Sequence, residues 1–246
     1  MATDPRQKEL WLREFRLNGF LILRGFLPVE LVERMYLELE PILRAEYLKW
    51  QRGESKSARG PARFAFDVTR YAELMRGGAL ADDRFRRNPV IEDLVTEILR
   101  PASWARGWTQ VECVWPGSEH MDWHSDQTIE DTRNPDDPNR TVRVTYNIPL
   151  VDFTWANGPM ELLPGSHVQP RSFHSASFRE VPNLYPVSLR LGRGDVVLRD
   201  GNTLHRGTPN LHEQPRPMLD QTYKAGGGES PRVASTGSAA GPETGP

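Results

Sequence analysis

The second half of the sequence holds side chains of the types and spacing that transition-metal chemistry requires. His120-Met121-Asp122 and His124-Ser125-Asp126 run in tandem. In extended chain, residues two apart face the same side, so each triplet presents an imidazole and a carboxylate together. A distant second histidine would complete a two-His, one-carboxylate set, which grips a first-row metal from one side and leaves other positions open. Four residues of strand shift a side chain by about 13 Å, so only one triplet can serve, and spacing does not choose between them. The second histidine is His205, within the stretch from Gly201 to Lys224. That stretch reads as a short strand, a polar loop rich in Pro and Asn, and a returning strand from near Arg216. Two strands so joined are expected to lie side by side, with His205 and Arg216 facing one cavity. A guanidinium there suits a small carboxylate held through two parallel hydrogen bonds.

The elements that must position these groups follow from the hydrophobic pattern. Residues Lys8 to Asn18 predict an amphipathic helix ended by Gly19, and Phe20 to Arg24 a short buried strand. A helix is expected from Val29 to about Glu40, with Pro41 starting or kinking the next segment. Between Gln51 and Ala62 the pattern stops; Lys56, Arg59 and Arg63 read as cations of a surface loop that could meet an acidic substrate. A further helix spans Val90 to Leu99. From Trp108 the texture changes to short strands: Trp108–Trp115, Thr141–Leu150, Pro159–Leu163, Val187–Leu191 and Val196–Arg199. Thr145 and Asn147 share the polar face of their strand. The polar run from Gln127 to Arg140 reads as an excursion over a barrel mouth. Many short strands after a helical prelude give a mainly β fold with flanking helices.

With 246 residues the chain can bury a sizeable core without covalent staples. A net charge of −2 gives no electrostatic case for nucleic acid or a membrane surface. A single cysteine, Cys113, fits a reducing, cytoplasmic setting. Residues 1–225 are expected to form one catalytic domain, as a monomer or homodimer. The Gly/Ser/Pro-rich stretch 226–246 has the composition of a disordered tail.

Trp123-His124-Ser125-Asp126, Asn157-Gly158-Pro159-Met160, Pro164-Gly165-Ser166-His167, Gly194-Asp195, His205-Arg206-Gly207-Thr208-Pro209-Asn210 and Arg216 follow one another in order. In this order they resemble the phytanoyl-CoA dioxygenase-like family of Fe(II)/2-oxoglutarate-dependent oxygenases, over roughly Trp108 to Tyr223. The resemblance implies a double-stranded β-helix (a jelly-roll, cupin-like core). It implies Fe(II) held by His124, Asp126 and His205, with no catalytic residues beyond these ligands, and O2 as co-substrate. Trp123 favours the second triplet, as in the family pattern. Arg216 would pair with the distal carboxylate of 2-oxoglutarate; Thr145, Asn147 and Gln110 are further candidates for contact with that cofactor. The activity implied is oxidation of a small-molecule C–H bond, most simply hydroxylation, with succinate and CO2 formed. Desaturation, cyclisation or epoxidation by the same chemistry is the alternative, and a ligand-binding barrel without turnover is a more distant one. The carboxylate of Asp126 speaks against halogenation, which needs that position free.

Overall fold

The computed structural model describes residues 3–54, 59–126, 140–169 and 185–226. The expected mouth excursion from Gln127, the tail beyond Gly226, and Lys56 lie outside the described residues. Helix α1 (Pro5–Asn18) starts where Asp4 accepts the Arg6 amide, and it ends at Gly19 in the left-handed region. Strand β1 (Phe20–Leu23) follows at once. Helix α2 runs unbroken over Val29–Gln51 with Pro41 inside it, so the expected break there is corrected. Pro41 removes one backbone hydrogen bond, yet the buried stripe of Leu31, Met35, Leu39 and Leu43 continues past it. Burial of such side chains, about 1.5–3 kcal/mol each, outweighs the loss.

Strand β2 (Arg63–Asp67) and the short helices α3 (Ala72–Gly77) and α4 (Asp83–Arg86) occupy a region that sequence patterning left blank. Helix α5 (Pro89–Leu99) leads to β3 (Trp104–Val114). Then come β4 (Arg143–Pro149), β5 (Met160–Leu162), β6 (Val187–Ser188), β7 (Val196–Asp200), β8 (His205–Gly207) and β9 (Arg216–Ala225). They form two antiparallel sheets, a major one ordered β1-β7-β4-β9-β3-β2 and a minor one ordered β6-β5-β8. An isolated bridge adds His124 beside His205 at the minor sheet's free edge. From β3 on, the chain alternates between the sheets, with β5 and β6 consecutive in the minor one. That winding is a double-stranded β-helix.

The pairing expected between the strands of His205 and Arg216 does not occur. The first belongs to the minor sheet and the second to the major one. The connection from Thr208 to Pro215 is long enough to cross between sheets, and Asn210 pins it there. Its amide donates to the carbonyls of Val114 and Gln214, both at 2.9 Å.

The other ordered motifs join the layers too. Asp195 accepts from the amides of Gly25 and Gly192 and from Arg24. The Ser166 hydroxyl accepts the Leu204 amide at 2.8 Å, just before β8. Gly158 has φ +77°, and a Cβ there would lie 2.6 Å from the Thr208 carbonyl oxygen, so only glycine lets β5 begin against this crossing.

The larger core lies between the helices and the outer face of the major sheet, and includes Leu31, Met35, Phe85, Leu94, Tyr146 and Tyr223. A smaller one, including Phe153, Met160, Leu162, Val197 and Met218, lies between the sheets. The rest of the barrel interior is polar.

Candidate metal centre and cavity

Backbone pairing sets the spacing of the two imidazoles. The His124 amide donates to the His205 carbonyl at 3.1 Å, and the His205 amide donates back at 2.9 Å. Their rings stand 4.2 Å apart, centre to centre. Asp126, two residues on, points to the same place. One ligand atom from each of His124, Asp126 and His205 lies within 4.8 Å of the others. The Asp126 carboxylate reaches to 3.8 Å from Nε2 of His205.

The surroundings fix the chemical form of each group. Nδ1 of His205 lies 3.0 Å from the Thr203 carbonyl and Nδ1 of His124 lies 2.9 Å from that of Asp122. A carbonyl only accepts, so in neutral His124 the proton sits on Nδ1 and Nε2 is free for a ligand; Nδ1 of His205 lies between the Thr203 carbonyl and the Arg199 donor, and Nε2 is its atom that faces Asp126. Burial, then the Arg199 charge, holds His205 well below the usual imidazole range, so it is neutral at physiological pH. For Asp126 burial alone would raise the pKa. The Arg199 guanidinium instead holds it well below the usual carboxylate range.

Arg199, on β7, was not singled out by sequence. It is 3% exposed, donates to Asp126 Oδ2 at 2.6 Å, and lies 3.1 Å from Nδ1 of His205. One carboxylate oxygen of Asp126 is thus held by arginine while the other faces the histidines. Arg143 adds a hydrogen bond to the Asp126 backbone carbonyl.

The inner face of the major sheet carries the remaining polar groups in rows set by register. Thr145 stands opposite Thr222 and Arg199; next, Asp220 stands between Gln110 and Asn147; then Glu112 opposes Met218; then Val114 opposes Arg216. A small cavity of about 40 Å³ touches Asp126, His205, Thr145, Gln110, Glu112 and Asp220. Asp126 and Arg59 also line an outer groove of about 530 Å³ that takes in His120, Asp122 and His124. The first triplet, His120 and Asp122, therefore lies on the approach to the centre. Arg59 forms an ion pair with Glu112. Arg63 is not a loop cation: it opens β2, is 4% exposed, and donates to the carbonyls of Glu119 and Thr208.

Arg216 is 3% exposed, and its guanidinium lies over the Phe153 ring at 4.6 Å. Burial lowers its pKa to about 10, which leaves it charged at neutral pH. Its Nε and Nη1 have no hydrogen-bond acceptor among the described residues. A buried cation with unused donors is costly, and an anion entering the barrel would satisfy it. Thr145 Oγ1 is likewise buried and unpartnered. Asn147 donates to Asp220 at 2.6 Å, while Gln110 donates to Glu112 at 3.3 Å and Asp220 at 3.4 Å. Burial and the nearby Glu112 carboxylate raise the Asp220 pKa.

The sequence profile of the phytanoyl-CoA dioxygenase (PhyH) family matches residues 15–218. The chain is 24% identical over 221 residues to the dioxygenase trt7 of Aspergillus terreus, an alignment covering 87% of this chain and 71% of that protein. It is 26% identical over 242 residues to the ectoine dioxygenase of Bordetella parapertussis, covering 87% and 74%. The solved structure of the epimerase SnoN in complex with Fe3+, alpha ketoglutarate and nogalamycin RO superimposes with a TM-score of 0.65 at 19% identity, over 90% of this chain and 85% of that one. AviO1 from Streptomyces viridochromogenes gives 0.63 at 19% identity, over 92% and 97%. At these identities the structural likeness speaks for the fold.

Proposed function

The chain belongs to the phytanoyl-CoA dioxygenase family of Fe(II)/2-oxoglutarate-dependent enzymes, and on that premise we propose that it hydroxylates a C–H bond of a small-molecule substrate. The observation that carries this reading is a pair of features inside one barrel. The first is a donor set of two imidazoles and one carboxylate at His124, His205 and Asp126. The second is the buried guanidinium of Arg216 with donors to spare.

Two imidazoles and one carboxylate suit Fe(II) and leave positions for other ligands. When bound, Fe(II) with 2-oxoglutarate supplies oxidising power from O2, with loss of CO2 and formation of succinate. The chain's own part is positional. Thr203 and Asp122 orient the imidazoles, and Arg199 restrains Asp126. Arg216 takes the distal carboxylate of 2-oxoglutarate through a two-point contact. Met160 and Met218 line the cavity beside His205, and these apolar walls limit water at the reacting position. The substrate approaches along the groove that holds His120 and Asp122.

No helix among the described residues is long and apolar enough to cross a membrane. We place the enzyme in the cytoplasm, where the free, buried Cys113 stays reduced.

The test is a small-molecule screen with Fe(II), 2-oxoglutarate and ascorbate, scored by substrate-dependent succinate and by product mass. Gain of one oxygen atom is expected. Loss of two hydrogens would move the assignment to desaturation or cyclisation. Binding of substrate with no succinate under any condition would show a barrel without turnover.

A further inference from the structure

Charge bookkeeping inside the cavity singles out Asp220. The other charged groups that line it have counter-charges close by: Asp126 with Arg199, and Glu112 with Arg59. Asp220 is 2% exposed, and its carboxylate receives hydrogen bonds only from the neutral amides of Asn147 and Gln110 among the described residues. It caps no helix and joins no distant element. Both of its partners are neighbours in its own row of the sheet. Arg199 and Arg216 act on it only through space, with no ion pair among the described residues. A buried carboxylate so held is expensive, and a fold with no use for it would be more stable with an apolar residue there.

A second observation points to a ligand in the same place. The Thr145 hydroxyl, 2% exposed and lining the same cavity, has no hydrogen-bond partner. Asp220 and Thr145 occupy adjacent rows of the sheet's inner face, on β9 and β4. Arg216 is on the same face of β9 but beyond Met218, four residues or about 13 Å of strand from Asp220. A group seated at Asp220 therefore sits beside Asp126 and His205, two rows of the sheet from the proposed carboxylate anchor, whose charge reaches Asp220 through space.

We propose that the substrate carries a basic nitrogen, an ammonium or protonated amine, which Asp220 receives as counter-ion with Thr145 as an additional hydrogen-bond partner. This rests on the oxygenase reading above and narrows its substrate class. An amine anchored there lies next to the metal ligands, so oxidation would fall on a carbon near the nitrogen. Burial and Glu112 raise the Asp220 pKa, and a cation arriving beside it would lower it again.

The experiment uses full-length protein loaded with Fe(II) and 2-oxoglutarate without oxygen, titrated calorimetrically with hexylammonium, hexan-1-ol and hexanoate. Hexylammonium should bind at least about tenfold more tightly than hexanol, the size of a charge-assisted hydrogen bond. Asp220→Asn should erase that preference, Asp220→Glu should retain part of it, and 2-oxoglutarate affinity should stay within about twofold in both. Equal binding of amine and alcohol, preference for hexanoate, binding of none of the probes, or a preference that survives Asp220→Asn would each overturn the proposal. The wild-type comparison decides even where Asp220→Asn does not fold. Failure of the wild type to bind Fe(II) and 2-oxoglutarate at all would instead count against the oxygenase reading.

Discussion

Replacing Arg216 by methionine should stabilise the protein without cofactor and abolish its response to 2-oxoglutarate. The guanidinium is 3% exposed, and two of its nitrogens lack acceptors. Each unsatisfied buried donor costs about 1–3 kcal/mol. The contact with Phe153 at 4.6 Å returns about 0.5–2 kcal/mol, part of which a methionine sulfur on the same ring would keep. The net gain for Arg216→Met is therefore about 0–5 kcal/mol, centred on about 3, or about 2–4 °C in Tm for each kcal/mol in a chain of this size. Ligand linkage has the opposite sign. With Fe(II) present and 2-oxoglutarate at a hundred times its Kd, the wild type should gain about 2.7 kcal/mol, and the variant nothing. Thermal and urea unfolding of both proteins, with and without 2-oxoglutarate, gives all four values. A variant that is less stable when free and equally stabilised by 2-oxoglutarate would show that Arg216 is a structural residue, and the carboxylate anchor would have to be sought elsewhere.

Other expectations test the remaining parts of the centre. His124→Ala should lose Fe(II) by metal analysis while His120→Ala keeps it; the reverse result would show that the other triplet holds the metal. Arg199→Gln should weaken metal binding by about 10–100-fold, because Asp126 loses the group that orients it, and 2-oxoglutarate affinity of the metal-loaded protein should not change. Unchanged metal affinity would refute a positioning role. Asp200 is fully buried, and burial raises its pKa to about 6 against hydrogen bonds from Thr141 and the Asn202 amide. A folded pKa above the unfolded value means the folded state favours the protonated form. Its contribution is fully present below about pH 4 and is lost as pH rises to about 6, up to ~3 kcal/mol. Asp200→Asn should therefore flatten that part of the stability–pH profile and raise stability at pH 7, and an unaltered profile would refute it.

Short-range chemistry was legible in the sequence, and crossing between layers was not. The ordered motifs around His124, Gly158, Ser166, Asp195 and Asn210 could be read because together they resemble a family pattern, and the two His-x-Asp triplets also because a strand puts alternate residues on one face. Their purpose, joining β8 and β9 to distant strands, emerges only in three dimensions. The hairpin expected between His205 and Arg216 failed because loop composition says that a chain turns, not which sheet it returns to. Arg199 passed unnoticed as one charge in the run Val196-Val197-Leu198-Arg199-Asp200, where a strand's outward face is the ordinary place for it. Asp220 and Glu112 had a usable signal: counting by twos from Arg216 reaches Met218, Asp220 and Thr222, and by twos from Gln110 reaches Glu112. Arg63 could not be placed, since a strand edge rich in small and charged residues gives no periodicity.

The two sheets divide the labour in a way that bears on how such enzymes diversify. Both imidazoles stand on the minor sheet, locked by reciprocal backbone hydrogen bonds that no side-chain substitution removes. The residues that shape the cavity, Gln110, Glu112, Thr145, Met218, Asp220 and Thr222, stand on three neighbouring strands of the major sheet, with side chains in successive rows. Drift or laboratory selection can rewrite those rows, exchanging a carboxylate for an apolar or cationic group, while the metal-binding half is inherited intact. A library confined to Glu112, Met218, Asp220 and Thr222, leaving out the cofactor candidates Gln110 and Thr145, would explore substrate preference at constant chemistry.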